Sequence, residues 1–253
     1  MAGRPRSIAL VLCLLWSSPV SAAPSWPFSD APLVRIAAGS FVFGADDGEA
    51  NEAPRAVLRL PGFSIARTEV TNDQYRRWVR DTGHRPSFFA DHPVLGLGAH
   101  PVVGVSWDDA DAFCRHYGLA LPSERQWERA ARGTDGRRFA WGDAAPGAGR
   151  VNRGAEKCCA PDAADGFAAT APVGSFPAGH SPEGVADLTG NVWEWVDGWY
   201  NPYDAAAPAQ RFRVLRGGAW NSDAWKLRTT YRLAYDPAFR FAANGGFRCA
   251  GLY

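Results

Sequence analysis

Residues 133–186 carry almost no sustained apolar period, helical or extended. Structureless stretches beyond about 12–15 residues are uncommon inside a compact domain, unless function or a pin other than the core holds them. Disulfides and metal ions are the usual pins. The rest of the chain points the same way. It contains 27 glycines and 19 prolines, which favour turns over long elements.

Three short helices are nevertheless predicted, each with start and stop signals. Thr71 caps the first, with Tyr75, Trp78 and Val79 on one face and Gly83 past its end. Ser106 caps the second with Asp109 as reciprocal partner, and Phe113, Cys114 and Tyr117 share a face before Gly118. Ser123 and Gln126 box the third, with Trp127, Ala130 and Ala131 inward before Gly133. These are the patterns that satisfy the free amides and carbonyls of helix ends. Phe41–Phe43 and Val57–Leu60 read as strands.

The first 22 residues have the layout of a secretory signal. Arg4 and Arg6 precede the apolar run Ile8–Trp16, and small residues surround Ala22. The run is shorter than the ~20 residues of a membrane span. The expected organisation is a signal peptide at 1–22, a loose Pro-rich leader at 23–32 and one domain at 33–253. A secreted or periplasmic chain is expected, monomeric and off the membrane after cleavage. The formal charge of +1 becomes −1 once Arg4 and Arg6 leave, which gives no electrostatic case for nucleic acid. Cys114, Cys158, Cys159 and Cys249 remain after cleavage. An even count in an exported chain suggests disulfides, and four cysteines allow three pairings.

Candidate chemistry is sparse. His84, His92, His100, His116 and His180 show neither zinc spacing nor a helical i,i+4 pair, and no phosphate loop or nucleophile elbow is present. "DLTGNVWEW" (187–195) offers the hard oxygens of Asp187 and Glu194 around the flexible Gly190. Such oxygens suit calcium, although each segment alone also reads as a turn. The tryptophans, Trp193, Trp195, Trp199, Trp220 and Trp225 among them, can supply a core or line a groove.

Taken together, "TEVTNDQYRRW" (68–78), "PVVGVSWDDADAFCRHYG" (101–118), "LALPSERQWERAARG" (119–133), "DGF" (165–167), "GNVWEW" (190–195), "RVLRGGAW" (213–220) and "GFRCA" (246–250) resemble the formylglycine-generating enzymes, or sulfatase-modifying factors. The resemblance implies an α+β fold: one irregular domain related to C-type lectins, low in regular structure. It implies two structural calcium sites. One would use Asn152, Asp165 and the carbonyls of Arg153 and Phe167; the other Asp187, Glu194 and the carbonyls of Gly190 and Val192. It also implies a Cys114–Cys249 disulfide.

The family's oxidases bind copper through two cysteines in the loop after "GG". Those positions hold Ser222 and Leu227 here, and a pocket serine is Ala219, while the pocket Trp is kept as Trp193. Cu(I) favours soft thiolates, so copper chemistry is not expected. Relatives without the cysteine pair include a pyoverdine-maturation protein, accessory proteins linked to nitrite reductase and activators of secretion systems. The expectation is an accessory or maturation factor acting on another exported protein or product. Two alternatives stand beside it: a lectin-like binding module using Trp220, Asn221, Trp225, Arg228 and Tyr231 as its groove, and an oxidoreductase with a non-cysteine metal site. Cys158-Cys159 is read as an oxidised or structural pair.

Overall fold

The computed structural model describes residues 25–155, 162–203 and 209–252. The expected signal peptide and the Cys158-Cys159 pair lie outside them. Regular structure is low, with 17% helix and 20% strand, so most backbone groups must find partners outside helices and ladders.

Strands β1 (Leu33–Ile36) and β4 (Phe63–Ala66) pair antiparallel and are extended by β9 (Ala250–Gly251). Strands β2 (Gly39–Phe43) and β3 (Ala56–Leu60) form a hairpin, with Phe41 opposite Leu58. Both correspond to the expected apolar runs. The third sheet contains β5 (Trp193–Trp199), β6 (Arg213–Arg216), β7 (Leu233–Tyr235) and β8 (Gly245–Phe247) in the order β7-β6-β5-β8. Its β5–β8 pairing is parallel and the others antiparallel. Within 133–186 the described residues contain only one 3-10 turn, Pro177–Gly179.

The helices are α1 (Asn72–Thr82), α2 (Trp107–His116) and α3 (Glu124–Arg132). All three begin at the expected caps with capping boxes: Ser106/Asp109 and Ser123/Gln126 as expected, and Thr71/Gln74, whose glutamine was not foreseen. Gly83 closes α1 in the left-handed conformation, φ 73°. Tyr75, Trp78, Phe113, Cys114 and Phe247 meet in the main core. A second core gathers Trp127, Ala130 and Ala131 of α3 against Phe63, Ile65 and Val196. Cys114 and Cys249 form a disulfide with Cα atoms 5.5 Å apart, both sulfurs belonging to fully buried residues. It ties α2 to the C-terminal segment.

The leader differs from expectation, because part of it is docked. Phe28 is buried, its ring 5.2 Å from Tyr117 and stacked at 6.2 Å on Phe113. Trp26 packs edge-on against Phe28 and donates its indole N–H to the Ala31 carbonyl. Aromatic burial outweighs the loosening effect of the prolines.

Asp109 does more than cap α2. Its carboxylate accepts from the Ser106 amide, from Arg85 through two nitrogens and from His84. The segment following α1 is thereby fastened to the start of α2. Burial acts to raise this carboxyl's pKa, but Arg85, the Ser106 amide and His84 outweigh it and bring it to about 2. The folded value lies below that of an unfolded Asp, near ~3.9. The stabilisation is therefore complete above about pH 4 and lost as pH falls through about 2. Urea titrations of wild type and Asp109→Asn across that range should show their stability gap narrowing by about 2 kcal/mol toward the acid end. A gap independent of pH would remove the carboxylate's charge from this account.

Candidate functional site

The loop after β6 opens with two glycines because the backbone there has no room and the wrong hand for a side chain. Gly217 and Gly218 have φ of 98° and 76°. A Cβ on Gly218 would come within 2.6 Å of Leu227 Cδ2. The chain then folds back on itself. The Ala219 amide donates to Ser222 Oγ at 3.0 Å, and the Ser222 amide donates to the Ala219 carbonyl at 2.8 Å. The Ser222 carbonyl accepts from the Gly154 amide, tying the loop to the calcium-candidate segment around Asn152.

Ser222 and Leu227 are therefore both internal. Ser222 is 2% exposed and its hydroxyl completes a turn. Leu227 is fully buried in an apolar cluster with Phe139 and Val151. Neither presents a ligand to solvent. Ala219 is buried, and Trp193 lies in the main core with its ring 5.9 Å from Tyr231.

The expected groove residues separate into two places. Trp225 is 44% exposed, donates its indole N–H to Glu49 and lies under the Arg228 guanidinium at 3.7 Å. Arg228 is buried and held by both oxygens of Glu52. These two line a surface cleft. Trp220 and Tyr231 instead pack against the main core, Trp220 donating to the Ala243 carbonyl. Asn221 accepts from Asn244 Nδ2. The five residues do not form one surface.

The first proposed cation set is gathered in one place. Asp165 accepts from the amides of Arg153 and Phe167, both at 2.9 Å. Burial pushes its carboxyl pKa up. Asn152 donates through Nδ2 to the Ala169 carbonyl and to Asn191 Oδ1, while its own Oδ1 is buried without a donor. A buried acceptor without a donor is costly, and a hard cation satisfies it.

The second set differs from expectation at one residue. Asp187 sits at φ 57° and accepts from the Gly174 amide. Gly190 has φ 89°, and a Cβ there would meet Val151 at 2.3 Å and the Asn152 carbonyl at 2.4 Å. Glu194, however, is already engaged by three donors. Its two oxygens accept from Arg248 Nε and Nη2, each at 2.7 Å, and from Trp127 Nε1 at 2.9 Å. Sequence reasoning missed Glu69, which is fully buried with neither carboxylate oxygen receiving a hydrogen bond. Its carboxyl contacts that of Asp187. Burial, then Asp187, push the Glu69 pKa well up, and burial raises that of Asp187. Two contacting buried carboxyls need a proton or a cation between them. The available signal was an acid set between Thr68 and Val70 in "TEVTN".

The histidines do not converge. His84 bonds Asp109, His92 accepts from the Val94 and Leu95 amides, and His100 bonds Thr170. Among the described residues no three His, Cys, Asp or Glu side chains form a metal-holding group. A cation site here would rest on one or two side chains plus amide and carbonyl oxygens.

The packing account of the loop makes a direct claim about position 227. Leu227→Ala should cost about 2–5 kcal/mol, read by urea denaturation, and the loss should be the same with and without added metal. Ser222→Ala, losing one turn hydrogen bond, should cost about 1 kcal/mol. A near-neutral Leu227→Ala would mean that the side chain faces solvent or a ligand.

Comparison with known proteins agrees with this architecture. The family model described as "Sulfatase-modifying factor enzyme 1-like domain" matches residues 22–251. The formylglycine-generating enzyme of Streptomyces coelicolor is 34% identical over 300 residues, covering 92% of this chain and 94% of the relative. The inactive C-alpha-formylglycine-generating enzyme 2 of Mus musculus is 32% identical over 272 residues, covering 87% and 86%. The solved structure of PvdO from Pseudomonas aeruginosa superposes with a TM-score of 0.73 at 26% identity, covering 89% of this chain and 96% of that one. The chain belongs to the formylglycine-generating-enzyme-like, or sulfatase-modifying factor, family.

Proposed function

We propose that this chain is an exported accessory or maturation factor that acts on another exported protein or product without copper–cysteine chemistry. The observation that carries the reading is the state of the two loop positions. Leu227 is a buried packing residue and the Ser222 hydroxyl belongs to its own turn. The residues do not fit a copper centre, which needs soft ligands presented to a common point. The likeness to a mouse relative named inactive, and to PvdO over nearly the whole chain, supports the same reading.

The test has two arms. Purified mature protein supplied with Cu(I), oxygen and a cysteine peptide should form no aldehyde by mass spectrometry. In the organism that encodes it, deletion should leave one exported protein or product in its precursor form, and a gene carrying Ser222→Ala should restore maturation. Aldehyde formation in the first arm would sink the copper-free reading. An unchanged exported fraction in the second would sink the maturation role and favour a binding module, for which the exposed Trp225 is the supporting feature.

Two calcium ions are proposed as structural pins. Asn152, Asp165 and the carbonyls of Arg153 and Phe167 would hold one. Asp187 and the carbonyls of Gly190 and Val192 would hold the other, with Glu69 supplying the second carboxylate in place of Glu194. When bound, calcium supplies charge compensation and closes loops that have no ladder. Saturating calcium at ~100 times its Kd should stabilise the wild type by about 2.7 kcal/mol per site. In Asp187→Asn the increment from this site should vanish, and in chelator the same variant should be neutral or stabilised because a carboxyl repulsion is gone. Equal calcium increments in both proteins, measured by thermal unfolding, would remove Asp187 from the ligand set.

A further inference from the structure

Beside the loop lie two neighbouring pockets with shared walls. The inner one, about 390 Å³, is lined by Asp47, Arg132, Arg138, Asp143, Arg228 and Thr230 among others. The outer one, about 270 Å³, shares Arg138, Asp143 and Arg228 and adds the apolar surfaces of Phe139, Pro146 and Trp225. A polar pocket lined by three arginines therefore adjoins an aromatic one.

The three arginines are not equally committed. Arg228 is held by both oxygens of Glu52 and by the Trp225 carbonyl. Arg132 holds Glu128 and the carbonyls of Gly44 and Gly136, but its buried Nε–H has no acceptor. Arg138 is the least engaged. Its only side-chain partner among the described residues is Asp47, at 3.4 Å, and the two side chains are 50% and 78% exposed. Such a pair contributes little and exchanges readily. Asp143, which lines both pockets, accepts the Arg138 backbone amide through one oxygen. The Asp47 carboxylate thus sits loosely where an incoming oxyanion would bind, beside a guanidinium whose donors suit a bidentate carboxylate.

We propose that this cleft binds an acidic peptide segment. Its carboxylate displaces Asp47 from Arg138, and a neighbouring aromatic or apolar residue enters the chamber walled by Trp225, Phe139 and Pro146. The peptide would belong to the exported partner, so the source of the peptide rests on the function proposed above, but the recognition chemistry does not.

The probes are N-acetyl-Phe-Glu-amide and its Gln and Lys counterparts, followed by chemical-shift titration of the Arg138 and Trp225 side-chain N–H signals. The Glu peptide should bind about tenfold tighter than the Gln peptide, and the preference should shrink with added salt. Arg138→Gln should erase it. Asp47→Asn should tighten Glu-peptide binding, because the internal competitor is gone; a merely structural Asp47 would show no such gain. Both positions are half or more exposed, so these variants keep the fold. Absence of binding, preference for the Lys peptide, or weaker binding by Asp47→Asn would each overturn the proposal. A maturation defect on deletion alongside such a result would leave the accessory role standing and remove only this cleft from it.

Discussion

The fold depends on buried guanidinium groups that act as hydrogen-bond anchors for loops. Arg216 is fully buried; it bonds Glu124 and Glu128 and donates to the carbonyls of Thr229 and Thr230. Arg232 bonds Glu124 and the carbonyls of Asn51 and Asn201. Arg132 shares Glu128 and reaches Gly44 and Gly136, while Arg248 holds Glu194 and the carbonyls of Ala66, Arg67 and Ala186. Arg216, Arg232 and Arg132 share the carboxylates of Glu124 and Glu128, Arg248 has Glu194, and each has further donors that loop carbonyls use. In a chain with little ladder structure those carbonyls would otherwise be buried without partners. A buried ion pair is not by itself a strong stabiliser, and losing one partner of it is costly. Its contribution here is to fix which loops meet.

This network explains why the sequence was legible in some places and opaque in others. Helix caps are local, so Thr71, Ser106 and Ser123 could be identified from three or four neighbouring residues. The β2 and β3 runs were equally local. The role of Glu124, Glu128 and Arg132 was not. In "ERQWERAAR" these residues read as the solvated face of an amphipathic helix, yet all three are buried. Their partners lie about 80 to 110 positions away in sequence, and no periodicity within the helix encodes them.

The candidate sites divide in the same way. Asn152 and Asp165 were aligned by the family resemblance, and the Arg153 amide donates to Asp165. Glu194 could be aligned equally well but is already taken by Arg248. Whether a carboxylate is free to meet a cation depends on a guanidinium from the last strands. Glu69 faces the opposite situation, with no cation of its own and Asp187 against it. The groove residues diverged because a loop that reverses on Gly217-Gly218 sends Trp225 outward and Tyr231 inward, and side-chain direction in such a turn is set by backbone torsions that composition does not reveal.

The loop also shows a family frame built around positions that are packed. Trp193, the paired glycines and the β5–β6 pairing keep the loop in place. Yet the space at Leu227 is filled by aliphatic and aromatic neighbours and closed by the near approach of Gly218. A thiolate at that position would be a charge in an apolar cluster, which is strongly disfavoured without a metal or a donor. Ser222 and Leu227 belong to the packing beside the cleft that Trp225 and Arg228 line.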